Sequence, residues 1–139
     1  MQYDRYMGLD YGNSRIGIAF SDLSGTIATA DSVYKRKSEE EDISFLVKLA
    51  KEKDVHHIVI GLPLNADGTE SEMSKNTRQF GQKLFDKSQI EIFYQDERYT
   101  SFEAEEYLKE AHLPWEKRKA LLDKVAAQII LQNYLDERK

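Results

Sequence analysis

Three acidic positions in this 139-residue chain stand where a charge is costly. Asp10 lies inside the apolar segment "YMGLDY", Asp96 and Glu97 end the run "IEIFYQDE", and Asp123 lies in "LLDKVAAQIIL". A carboxylate in apolar surroundings must be paired, hydrogen-bonded or bound to a cation. Each position also has an ordinary explanation: Asp10 as a turn cap, Asp96 or Glu97 as a partner of Arg98, Asp123 as a partner of Lys119 or Lys124. Together they fit one site, with acids at two strand ends and one on a helix laid over the sheet. Carboxylate oxygens suit Mg²⁺ or Mn²⁺. Two such ions roughly 4 Å apart can activate a water and stabilise the leaving oxygen of a phosphodiester. His56, His57 and His112 have no zinc-type spacing.

The elements that must position these acids follow from periodicity. Tyr6 to Tyr11 and Arg15 to Ser21 read as strands joined by the turn "YGNS", and Ile27 to Tyr34 as a third. Alternation puts Tyr6, Gly8 and Asp10 on one face and Met7, Leu9 and Tyr11 on the other, with Gly8 leaving room beside Asp10 for an ion or a backbone. "EEEDISFLVKLAKEKD" is helical, with Ile43, Leu46, Val47 and Ala50 on one stripe. "HHIVIGLPL" is a buried strand. Thr69 with Glu72 fits a capping box for a helix carrying Met73, Thr77, Phe80 and Leu84 inward.

The strand "IEIFYQDE" follows, and its alternation does not choose between Asp96 and Glu97 as the one facing Asp10. Thr100 with Glu103 is a second capping-box candidate, for a helix through Ala111, and Pro114 suits the start of a last helix toward Tyr134. There Asp123, Ala126, Ala127 and Ile130 share a face. The order β-β-β-α-β-α-β-α-α predicts an α/β fold, a mixed five-stranded sheet with its first three strands antiparallel and helices on both faces.

Length points to one domain, residues 1–139. The chain is 40 % apolar and 32 % charged, with no cysteine, so neither a disulfide framework nor thiolate chemistry is expected. "MQYDRYMG" has no signal-peptide pattern, no run is long enough to span a membrane, and a cytoplasmic protein with no membrane partner is expected. A net charge of −5 argues against broad charge-driven nucleic-acid binding, although a carboxylate site is neutralised when it holds cations. The basic clusters "KRK" at Lys35 to Lys37 and "EKRK" at Glu116 to Lys119 read as solvated surface, and Trp115 as packing.

"GLDYGNSRIGIAFSD", "GLPLNADGTES", "DERYTSFEAEEYL" and "DKVAAQIILQNYLDE" resemble, in order and over nearly the whole chain, the motifs of the YqgF (RuvX) family. That family is similar to the Holliday-junction resolvase RuvC. The resemblance implies an RNase H-like fold and a nuclease, acting on the 5′ end of pre-16S ribosomal RNA or on branched DNA. It matches Asp10, Glu97 (with Asp96 as alternate) and Asp123 to the catalytic, metal-holding acids, and implies Mg²⁺ or Mn²⁺. Arg15, Asn65 and Arg98 are motif residues expected at the substrate, since guanidinium forks match phosphate oxygens. Tyr99 departs from the aliphatic residue common there.

Two other classes fit parts of this pattern. A phosphate-cradling ATPase of the actin kind opens with a similar Asp-Gly hairpin but needs two such domains. A non-catalytic nucleic-acid-binding module would not need three acids. A monomer suits RNA trimming and a homodimer suits paired cuts in a junction.

Overall fold

The computed structural model describes residues 4–138. Among the described residues five strands form one sheet: β1 (Tyr6–Tyr11), β2 (Arg15–Ser21), β3 (Ala28–Lys35), β4 (His57–Leu62) and β5 (Glu91–Asp96). The same residues form four helices: α1 (Glu39–Glu52), α2 (Glu72–Ser88), α3 (Thr100–Glu110) and α4 (Trp115–Glu137). The sheet order is β3-β2-β1-β4-β5; β1, β2 and β3 pair antiparallel, while β1, β4 and β5 run parallel. The expected element order and sheet are therefore both present, with β3 starting one residue later than read from sequence.

Each face of the sheet carries its own core. Met7, Leu9, Ile16, Ile18, Ile58 and Ile60 pack against Leu46 and Ala50 of α1 and Phe80 and Leu84 of α2. Tyr6, Ala19, Ala28 and Val59 on the opposite face meet Ala127, Ile130, Leu131 and Leu135 of α4. On its other side α4 packs Val125 and Ala126 against Ala104 and Leu108 of α3. Two stripes explain why α4 is apolar around so much of its circumference. Among the described residues no helix is long and apolar enough to cross a membrane.

Three local expectations are corrected. Helix α2 is capped by Ser71 and Ser74, which bond each other's backbone N–H, and not by Thr69 and Glu72. Thr69 instead closes the preceding loop. Helix α3 begins after Tyr99 with no side-chain cap, so Thr100 and Glu103 make no box. Trp115 is 54 % exposed, with the Arg118 guanidinium over its ring, and is not part of a core.

Candidate active site

Two glycines bring α4 down onto the hairpin. A Cβ on Gly8 would lie 2.7 Å from Leu131 Cβ and 3.1 Å from the Ala127 carbonyl oxygen. The room beside Asp10 is thus filled by a helix, not left for an ion. A Cβ on Gly17 would collide with the Asp123 carbonyl oxygen. Gly17 is the register partner of Asp10. The α4 backbone at Asp123 therefore lies directly on the residue paired with Asp10, and close helix approach sets these two acids side by side.

A third glycine admits Glu97. Strands β1 and β5 are separated by β4, a gap of about 9.6 Å between backbones. At the C-terminal edge, Gly61 of β4 leaves that gap open: a Cβ there would stand 2.9 Å from the Glu97 carboxyl group. Glu97 reaches across and forms a hydrogen bond with Asp10. Of the two candidate acids, then, Glu97 meets Asp10. It follows the Phe93 row, which lies on the α4 side, whereas Tyr94 faces the α1–α2 core.

The contact between Asp10 and Glu97 perturbs both groups. Burial pushes the Glu97 carboxyl group up to about 9, with the negative charge of Asp10 and the hydrogen bond to it adding to the rise. Burial likewise raises Asp10 to about 6; the charge of Asp123 adds to this, and the bond to Glu97 opposes it. At neutral pH the pair shares one proton, as expected where two carboxyl groups occupy one low-dielectric site. They open into a cleft of about 360 Å³, bordered also by Gly12, Asn13, Leu64 and Arg98. A larger groove of about 710 Å³ runs between α1 and α2 over Ile43 and Val47, and none of the three acids reaches it.

Asp123 is turned aside. Its carboxylate takes an ion pair from Arg15 Nε at 2.7 Å, and the two side chains are 25 % and 55 % exposed. Among the described residues no three acidic, histidine or cysteine side chains converge as a ready metal cage. Arg15 and Gly17 alternate onto the α4 face of β2, which is why Arg15 can reach the helix.

Arg98 and Asn65 serve the loop beside the cleft. Arg98 donates from its backbone N–H and Nε to Asp96 at 3.0 and 2.9 Å, and from Nη1 to the Ala66 carbonyl at 3.1 Å. Asn65 donates to Thr69 Oγ1 at 3.0 Å and to the Glu70 carbonyl at 3.2 Å. Gly68 turns the loop with φ +88. Asp96 is thus the partner of Arg98 rather than a neighbour of Asp10.

One supporting group escaped the sequence reading. Arg36, in a basic cluster that reads as surface, donates to Asp42 at 2.9 Å and to the Gly12 carbonyl at 3.0 Å, and lies over the Tyr11 ring at 4.6 Å. It braces the turn that borders the cleft. Asp42, just before Ile43 on the inner stripe of α1, was the available signal: it is fully buried.

A mixed sheet in this order, with acids on β1, after β5 and on the covering helix, defines an RNase H-like fold of the RuvC type. The fold matches that of T. thermophilus RuvC in complex with Holliday junction substrate, at a TM-score of 0.57 and 12 % identity over 98 % of this chain and 96 % of that one. It matches the Fowlpox virus resolvase in complex with Holliday junction DNA at a TM-score of 0.60 and 11 % identity, over 96 % and 98 %. The RuvX family model, described as a Holliday junction resolvase, matches residues 4–137. A protein of Syntrophomonas wolfei subsp. wolfei named "Putative pre-16S rRNA nuclease" is 46 % identical over 132 residues, 95 % of this chain and 94 % of the relative. This chain belongs to the RuvX family.

Proposed function

We propose that this protein is a metal-dependent endonuclease that hydrolyses phosphodiester bonds at the 5′ end of pre-16S ribosomal RNA, working in the cytoplasm as one domain spanning residues 1–139. The observation that carries the reading is the hydrogen-bonded pair Asp10–Glu97 at the floor of an open cleft. A fold gains little from holding two carboxyl groups together in partial burial; a divalent cation replacing their proton turns that repulsion into ligation. The donors are all oxygens, which fits Mg²⁺ or Mn²⁺. Asp10, Glu97 and Asp123 would hold the metal, which when bound supplies water activation and charge stabilisation for in-line displacement.

The remaining residues act on the substrate. Arg15, half-exposed and paired with Asp123, offers its fork to a phosphate. Arg98, tied to Asp96 and the Asn65 loop, holds a positive charge at the border of the cleft. Asn65 positions that loop through its contacts to Thr69 and Glu70.

The test is cleavage of a 5′-extended 16S precursor leader in Mg²⁺ or Mn²⁺ by the wild type and by Asp10→Asn. The wild type should cut and the variant should be at least about 100-fold slower. Equal cleavage by the two would sink the assignment. The family description favours a second reading, resolution of branched DNA; a four-way junction cut in paired, symmetric positions while the RNA leader stays intact would select it.

A further inference from the structure

We infer that Arg15 is a positioning residue that holds Asp123 away from the metal site until a substrate phosphate takes its place. This rests on the reading of Asp10, Glu97 and Asp123 as metal-holding acids. The backbone at Asp123 is fixed, because α4 lies in contact with Gly17, the partner of Asp10. Its carboxylate is close enough to Asp10 for its charge to be felt there, yet it is bonded to Arg15 Nε at 2.7 Å. Asp123 therefore stands between two competitors, a guanidinium on one side and an acidic pair on the other. The exchange asks for a turn of the Asp123 side chain from the guanidinium toward the acidic pair.

Arg15 can make the exchange. Its side chain is 55 % exposed, on the strand residue that follows the open turn. Exposed ion pairs are weak and are readily traded for a better partner. A phosphodiester offers two oxygens to the guanidinium fork, where Asp123 receives Nε. Phosphate binding at Arg15 thus releases a carboxylate toward Asp10 and Glu97, so that the full set of oxygen donors is completed by substrate. By linkage, metal on the acids and nucleic acid on Arg15 must each strengthen the other.

The experiment is Mn²⁺ binding, followed by electron paramagnetic resonance without nucleic acid, in a four-member cycle: wild type, Arg15→Ala, Asp123→Asn and the double variant. Arg15→Ala should bind Mn²⁺ roughly three- to fivefold tighter than wild type, and the same substitution in the Asp123→Asn background should change nothing. A gain of equal size in both backgrounds, or no gain in either, overturns the inference, since the first would be general charge removal. In parallel, a nuclease-resistant 2′-O-methyl oligoribonucleotide should bind Arg15→Ala more weakly, with the salt slope reduced by about one; unchanged binding counts against the exchange. Failure of the underlying metal reading looks different: Asp10→Asn and Asp123→Asn would both leave Mn²⁺ affinity at the wild-type value.

Discussion

Glu97 and Asp10 are joined by a hydrogen bond across Gly61, two strands apart in the sheet. Both carboxyl groups are held above their ordinary values, Asp10 near 6 and Glu97 near 9, by burial first; the charge of Asp123 adds to the rise at Asp10, and the charge of Asp10 adds to the rise at Glu97. Everything proposed for the cleft begins from that contact.

The contact makes stability depend on pH. In the metal-free protein the folded state binds more protons than the unfolded chain between the ordinary carboxyl values and the raised ones. This contribution to stability is therefore fully present below the ordinary carboxyl values, declines as pH rises through about 6 and then about 9, and flattens above. Asp10→Asn removes the repulsion and leaves an amide able to bond Glu97. Melting curves at pH 5 and pH 9 should show the wild type losing roughly 5 °C more than the variant across that interval. Mg²⁺ should restore most of the loss in the wild type alone. Parallel pH profiles for the two proteins would contradict the shared proton.

The seat of α4 depends on Gly17. A methyl group there collides with the Asp123 carbonyl, which belongs to a helix backbone and cannot rotate away. Gly17→Ala should destabilise the protein by about 3 kcal/mol in urea unfolding. Phe85→Ala, a change at a partly exposed position, should cost far less. A Gly17→Ala protein of wild-type stability would mean that α4 does not rest on β2.

Arg36 and Asp42 should behave as one unit. Burial would raise the Asp42 carboxyl group, but the Lys37 backbone N–H and the Arg36 guanidinium outweigh it and hold the group below its ordinary value. Its contribution to stability is present above the ordinary carboxylate value and is lost as pH falls through the lowered one. Asp42→Ala should cost about 3 kcal/mol at pH 7, because Arg36 is left partly buried without its partner. In the Arg36→Met background the same change should cost clearly less, which equilibrium unfolding of the four proteins measures. Equal costs in both backgrounds would deny the coupling.

Much of this arrangement was legible in the residues. Alternation put Asp10 on the face that α4 covers, and the helical stripe put Asp123 on the face that α4 turns to the sheet. Asp96 and Glu97 could not be separated by alternation, because that needs the knowledge that Phe93 faces α4 while Tyr94 faces α1 and α2. The roles of Gly17 and Gly61 were hidden for the same reason: they depend on strand register and helix seating, which no local pattern encodes. Gly8 was recognised as a clearing, but its occupant is Leu131 and the Ala127 carbonyl. Two Thr-x-x-Glu patterns match a capping box but form none, while the true box at Ser71 and Ser74 lacks the acidic or amide residue that signals one.

The most direct test of the metal site is the anomalous difference density of a crystal soaked in Mn²⁺. The account predicts a peak in contact with the carboxylates of both Asp10 and Glu97, their mutual hydrogen bond replaced by ligation. A crystal that takes up Mn²⁺ elsewhere while Asp10 and Glu97 remain bonded to each other would contradict it.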